Sequence, residues 1–355
     1  MKRLVLLLTV ALLGTTALFS QKINKNELRQ LQSFLMQPAE RDATNAEALK
    51  ISDLSNPSSW EGVTIVNGRV AGIDWHDKHL AGALSLQDFM GLTTVNISNN
   101  DITSLSVSGT PELEDLNAAH NRLVNITLAN TPALSKLNLS RNHLTSVSLN
   151  NNSAGAIRTL NLAGNDLVSF DVSGSQTLTT LNIQSNRLEQ LNVNGCQSLK
   201  NLYAGYNKLT SLALSDVPNL MNLNIDDNNI QALRIANLPA LSSFLCSDND
   251  MTTLVVQDCP ALIDLVCSYN DLTDLQVNKC GNLQYVDCSY NDLSTLNLSN
   301  QTFLQRLICN NNQLITLDVS FDQNLSYINC RFNNITDLRT IACPNLNMIA
   351  SEYNY

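Results

Sequence analysis

Apolar residues recur along this chain at fixed offsets from an asparagine. That asparagine returns every 21 residues: Asn100, Asn121, Asn142, then Asn165, Asn186, Asn207, Asn228, Asn249, Asn270, Asn291, Asn312 and Asn333. One step, Asn142 to Asn165, is 23. With the asparagine as position 0, position −8 is Leu or Ile from Leu92 to Leu346, and position −5 is aliphatic or Phe from Val95 to Ile328. Position +2 is Leu, Ile or Met, and position +5 is apolar from Leu105 to Leu338. Apolar residues at −5 and −3 with polar ones between them predict a short strand with one buried face. The asparagine then turns the chain, and the stretch from +2 to +7 returns along the opposite side.

A polar residue held in such phase belongs to a lattice. Stacked coils would place the asparagines in a buried column, where each amide bonds backbone groups of the turn and its neighbours. Aspartate there would bury a charge, and leucine would leave backbone groups unpaired. The asparagines are therefore expected to be scaffold.

The unit L-x-x-L-x-φ-x-x-N-x-L-x-x-L-x-φ, with φ small or aliphatic, matches the leucine-rich-repeat pattern, whose usual length range includes 21. The predicted fold class is an α/β-type repeat solenoid. It is a right-handed leucine-rich-repeat coil with a parallel β-sheet on the concave face, mostly β and loop with little helix. The register reaches one coil upstream, where Val70 to Leu80 fits with Lys78 in the asparagine slot. The expected division is a signal peptide over 1–20, an N-terminal cap with a short helix over 21–69, and a solenoid over 70–355 of about 13 coils, the last partial. Within the cap, Asn26 to Met36 reads as an amphipathic helix with Leu28, Leu31 and Leu35 on one side. The Asn-, Ser- and Pro-rich stretch after it reads as loop.

All nine cysteines fall in repeat phase. Cys246, Cys267, Cys288, Cys309 and Cys330 occupy −3 in consecutive coils, and Cys196, Cys259, Cys280 and Cys343 occupy +10. Neighbouring −3 side chains would point the same way across parallel strands ~4.8 Å apart, slightly beyond disulfide reach. Buried free thiols acting as apolar filler are expected. There is no C-x-x-C pair and no histidine in phase with these columns, so no metal site is assigned to them.

Segments such as LVCSYNDLTDLQV and YVDCSYNDLSTLNL resemble bacterial internalin-type repeats with a cysteine ladder. The resemblance covers Leu92 to Leu346. It implies a secreted or surface-displayed solenoid used in adhesion or host recognition. The chain departs from that pattern in having no sorting motif and no recognisable C-terminal adhesive domain. The segment WEGVTIVNGRVAGI also resembles the cap of plant-type leucine-rich repeats, without their paired cysteines.

Composition narrows the function. Aromatic residues make up 5% and charged residues 15% of the chain, as a thin aliphatic core requires. The start pairs Lys2 and Arg3 with an apolar run, Leu4 to Leu13, too short to span a bilayer. Export to the cell surface, the medium or the periplasm is expected. Without Lys2 and Arg3, 19 basic residues face 31 acidic ones, a formal charge of −12. That argues against nucleic acid as partner and against docking on anionic lipid. No membrane insertion is expected.

The function expected is binding, with a protein partner foremost. A glycan- or peptide-binding protein and a structural surface component are the alternatives. Positions −6, −4 and −2 should face outward on the concave sheet. Early coils carry Asn96, Asn117, Asn138, Asn161 and Asn182 at −4. Later coils change character, and the candidate ligand-binding residues are Tyr203, Leu245, Asp264, Val266, Tyr285, Asp287, Arg306, Ile308, Tyr327 and Arg331. Tyr206, Tyr269, Tyr290 and Phe332 at −1 read as a packing edge. The two-residue insertion within Asn150 to Ala156 reads as a surface bulge. No G-x-S-x-G, H-E-x-x-H or phosphate-binding loop occurs, so no catalytic residue, metal or cofactor is assigned. The densest ionisable cluster is His76 and His79 with Asp74 and Asp77, read as a solvated cap loop.

Overall fold

The computed structural model describes residues 23–149, 156–298 and 301–355. The basic and apolar start read as a signal lies outside the described residues, as does most of the 150–156 insertion.

The chain winds as a solenoid of about 13 coils. Each repeat contributes a three-residue strand at −6 to −4, such as Thr94–Asn96, Asp264–Val266 or Tyr327–Asn329. These strands pair in parallel, each with the next coil and without register slip, from Arg69–Asp74 to Met348–Ala350. With the strand Val63–Val66 at its edge they form a 15-stranded sheet. The returning halves pair less regularly, into separate two- and three-stranded sheets such as Ala232–Ala236, Thr253–Gln257 and Asp274–Asn278.

In most coils the column asparagine makes four hydrogen bonds. Asn270 Nδ2 donates to Cys246 O (3.1 Å) in the previous coil and to Cys267 O (3.3 Å) and Ser268 O (3.2 Å) in its own. Its Oδ1 accepts from Met251 N (3.1 Å). Asn121, Asn207 and Asn333 repeat this set. One side chain thus pairs the Met251 N–H and shares three carbonyls with donors of neighbouring coils, since Cys246 O also takes Asn249 Nδ2, Cys267 O takes Asn291 Nδ2 and Ser268 O takes Asp248 N. The column runs one step past Asn333, to Asn354, which donates to Cys330 O (3.0 Å) and accepts from Ile335 N (2.9 Å). At the other end Lys78 occupies the slot without an amide, and its N–H and that of Leu80 both donate to Asn100 Oδ1.

The turn also needs a left-handed residue. Position −1 has φ between 52° and 67° in each coil from Asn99 to Tyr353, and glycine fills it once, at Gly164. Such a φ is strained for Tyr, Phe, Arg or His. The lattice holds it there, because the −1 N–H donates to the next coil, as Tyr269 N does to Ser289 O (3.0 Å).

The core is a stack of aliphatic layers. Positions −5 and −3 are buried in every repeat from Val95 to Cys330, and the five −3 cysteines are fully buried. All nine cysteines are free thiols. Burial pushes the thiols of Cys246, Cys267 and Cys309 well up, so they stay protonated and fill space as small apolar groups.

At the N-terminal end the helix Lys25–Leu35 buries Leu31, Phe34 and Leu35 against the first coils. Asn24 caps it, its Oδ1 accepting from Asn26 N and Glu27 N. Phe34 stacks on Trp75 (6.1 Å between centroids), the residue that fills the first coil's −3 position. The wholly buried Glu27 carboxylate takes Arg69 Nη1 (2.9 Å) and Val70 N (2.9 Å). The segment after the helix, expected as loop, contains a second short helix, Asn45–Ala48. The strands Val63–Val66 and Arg69–Asp74 form an antiparallel hairpin. Asn67 and Gly68, both at positive φ, make its two-residue turn.

Candidate functional site

The exposed face of the large sheet divides into two chemistries on one backbone. In the upstream coils the −4 asparagine folds onto its own turn. Asn96 Oδ1 accepts from Ser98 N (3.3 Å) and Ser98 Oγ (2.8 Å). Asn117, Asn138, Asn161 and Asn182 likewise accept from the N–H two residues on. These side chains cap local backbone, as asparagine does in turns.

Downstream, register alone assembles the candidates. Tyr285, Arg306 and Tyr327 lie side by side at −6 on adjacent strands. The Arg306 guanidinium sits between the two rings, 4.7 Å from the Tyr327 centroid and 5.7 Å from that of Tyr285. Tyr285 Oη donates to Asp287 Oδ2 (3.4 Å), and Ser289 N and Oγ hold Asp287 Oδ1. Burial and the Asp287 charge push the Tyr285 phenol up, and burial also raises the Asp264 carboxyl. Leu245 pairs with Val266, and Val266 with Asp287, so two aliphatic side chains adjoin the acid. Ile308 follows on the next strand. Eight of the ten candidates therefore form one half-exposed patch.

Two candidates stand apart. Tyr203 is separated from Leu245 by the Asn224 strand. Arg331 lies past its strand end and is tied to Glu352, Nη2 donating to Oε1 (3.1 Å). That pairing holds the Glu352 carboxyl down at about 2. Position −2 itself differs from expectation. Ser98, Ser140, Ser247, Ser268 and Ser289 are buried there, because the left-handed −1 residue folds the chain over them.

The −1 aromatics form stacked pairs. Tyr269 and Tyr290 stack face to face (4.3 Å, 8°), as do Phe332 and Tyr353 (4.3 Å, 8°). These four residues are 43–71% exposed, so the rings pack on one another at the surface.

The His76, His79, Asp74 and Asp77 cluster is split. His76 Nδ1 pairs with Asp74 Oδ1 (2.6 Å), which raises the imidazole. His79 turns instead to Glu40 Oε2 (3.5 Å). Glu40, His79 and Asp101 converge closely enough to hold a cation, but Arg122 Nη2 already pairs with Glu40 and with Asp101 there. The set joins the N-terminal segment to three coils. Sequence reasoning missed it because Glu40 and Arg122 are 82 residues apart. Asp226 was also missed. Burial raises its carboxyl while Ser247 N donates to Oδ1 (2.7 Å), a tie between coils that no motif signals.

Coil, ladder and sheet define a leucine-rich-repeat solenoid with a cysteine ladder, and bacterial leucine-rich-repeat proteins are among its structural neighbours. YopM from Yersinia enterocolitica WA-314 is 28% identical, with a TM-score of 0.67 over 78% of this chain and 58% of that one. The functional domain of InlJ from Listeria monocytogenes, which includes a cysteine ladder, is 27% identical, with a TM-score of 0.54 over 75% and 54%. The internalin inlF from the same species shares the fold at 18% identity, with a TM-score of 0.60 over 94% and 98%. The chain spans little more than half the length of the first two. No protein-family model and no curated protein sequence matches it.

Proposed function

We propose that this chain is an exported binding module that docks a protein partner on the downstream half of its large sheet. The observation that carries the reading is the change of surface at constant backbone. Upstream side chains spend their hydrogen bonds on their own turns, whereas Leu245, Val266, Ile308, Tyr285 and Tyr327 present apolar and aromatic surface that serves no backbone group. Aromatic and arginine side chains within a packed apolar surround dominate binding energy at interfaces. Export is supported by the basic and apolar residues at the start of the sequence, and a surface role in host recognition or adhesion by the likeness to bacterial leucine-rich-repeat proteins. No helix of the described residues is long and apolar enough to cross a membrane.

The test is affinity capture from surface and secreted host proteins, using the wild-type chain and the Tyr285→Ala/Tyr327→Ala variant as baits. A protein retained by the wild type and lost from the variant supports the reading. A glycan retained equally by both, with no protein captured, contradicts it. N-terminal sequencing of the mature chain from its native host tests export; a chain still beginning at Met1 would contradict it.

A further inference from the structure

The turn column beside the sheet carries its own binding geometry. Because every −1 residue has the same left-handed backbone, the side chains leave the turn in parallel, one per coil. Tyr269 covers one face of Tyr290, and Tyr353 covers one face of Phe332. Between the two stacks lies Asn311, at φ 56°, whose side chain is turned to Asn310, Oδ1 accepting from Nδ2 (2.8 Å). The remaining faces of Tyr290 and Phe332 thus look toward each other across a short side chain. Two coil spacings place these rings roughly 9.5 Å apart. A planar group midway would lie about 4.8 Å from each ring, within the ~6 Å reach of a cation–π contact.

The molecule builds the same arrangement for itself in another column of the same coils. In the coils of Asn291, Asn312 and Asn333, position −6 reads Tyr285, Arg306, Tyr327, and the arginine fills the middle place at 5.7 and 4.7 Å. In the −1 column the same three coils read Tyr290, Asn311, Phe332. The ring pair is present and the middle group is missing from the chain. Charge selects what fits. The formal net charge is −10, Asp287 and Asp292 belong to the coil of Tyr290, and the nearby Arg331 is already paired with Glu352.

We infer that Tyr290 and Phe332 clamp an arginine guanidinium of the protein partner above Asn311. The clamp deepens the sheet-face reading and rests on it only for the source of the arginine. Lysine lacks the flat group that two facing rings require, and a neutral ring gains nothing from the acidic surround.

The test uses the full chain and Nα-acetyl-arginine methylamide, followed by amide chemical shifts, with the lysine, leucine and phenylalanine analogues as comparators. The arginine probe is expected to give a saturable shift at Asn311, at least fivefold tighter than the other three. In Asn311→Tyr the new ring fills the middle place, and tyrosine already occupies this backbone at positions 269 and 290. That variant should keep the wild-type melting temperature and lose the shift. No saturable shift in the wild type, full retention in Asn311→Tyr, or a phenylalanine probe binding as tightly as arginine each overturns the clamp. A captured partner that Tyr285→Ala/Tyr327→Ala releases but Asn311→Tyr still binds at full strength overturns the clamp and leaves the sheet-face reading standing. Arginine binding with a partner indifferent to Tyr285 and Tyr327 does the reverse.

Discussion

The coils from Asn100 to Asn186 and those from Asn249 to Asn333 share one backbone and one buried asparagine column, yet they dress it differently. Upstream, the inner −3 place holds Ile, Ala or Leu, and the outer −4 place holds an asparagine that caps its own turn. Downstream, −3 is cysteine, and −4 is mostly freed for Leu245, Val266 and Ile308. The difference separates what a coil needs to stack from what it can spare. Asn270 and Asn121 cannot be exchanged for an apolar residue without orphaning a buried backbone N–H and thinning the bonds to three carbonyls. The −4 cap can be given up, because the strand ladder already fixes the turn.

The largest expected effect tests the shared part. Asn270→Ala should cost about 3 kcal/mol or more, since three carbonyls and one N–H lose a buried partner together. Asn121→Ala upstream should cost about the same. Denaturant midpoints check both, and a downstream cost below a third of the upstream one would break the claim of a common scaffold.

The next effect lies at +10, on the returning side, where three downstream coils carry cysteine and one carries Asp322. Burial without a countercharge pushes the Asp322 carboxyl up to about 6. A carboxyl raised above its unfolded value of ~3.9 binds its proton more tightly when folded, so stability falls as pH rises from ~4 to about 6 and stays low above. Asp322→Asn should therefore flatten this slope and gain about 1 kcal/mol at pH 8. Thermal unfolding at pH 4 and pH 8 measures it, and an unchanged slope would contradict the assignment.

A smaller effect sharpens the contrast itself. Val266→Asn places an asparagine two residues before Ser268, recreating the Asn96–Ser98 arrangement of the upstream face. Stability should hold or rise by a few tenths of a kcal/mol, while affinity for the partner falls. A destabilised variant would show that the two halves differ in backbone as well as in surface.

The smallest concerns Glu352. Its exposed carboxyl should titrate at about 2 and move back toward the ordinary ~4.3 in Arg331→Ala, read by carboxyl carbon shifts. A midpoint unmoved by that substitution would release Arg331 from its pairing and return it to the sheet face.

Period and phase made much of the fold legible. The spacing of Leu and Asn alone placed −5 and −3 inward and assigned each cysteine to a column. What stayed hidden depends on three-dimensional bookkeeping. The −4 asparagines look like generic polar surface until Ser98 N and Asn182 Oδ1 are seen as parts of local caps. The left-handed −1 place has no residue signature, since Tyr, Phe, Asp, Arg and His all occupy it under lattice constraint. Register, once known, placed eight of the candidate site residues side by side on the sheet. It could not reveal that Arg331 would turn to Glu352, or that Arg306 would be gripped by two tyrosines.

The central claim is that binding resides on the downstream face and folding on the shared column. The direct measurement is the affinity of the captured partner for two variants, Tyr285→Ala/Tyr327→Ala on the face and Asn121→Ala in the column. The first should lose at least 30-fold in affinity, about 2 kcal/mol, with an unchanged melting temperature. The second should lose stability and keep its affinity. Equal affinity in the tyrosine variant, or a matching loss in the asparagine variant at temperatures where it is folded, would contradict the account.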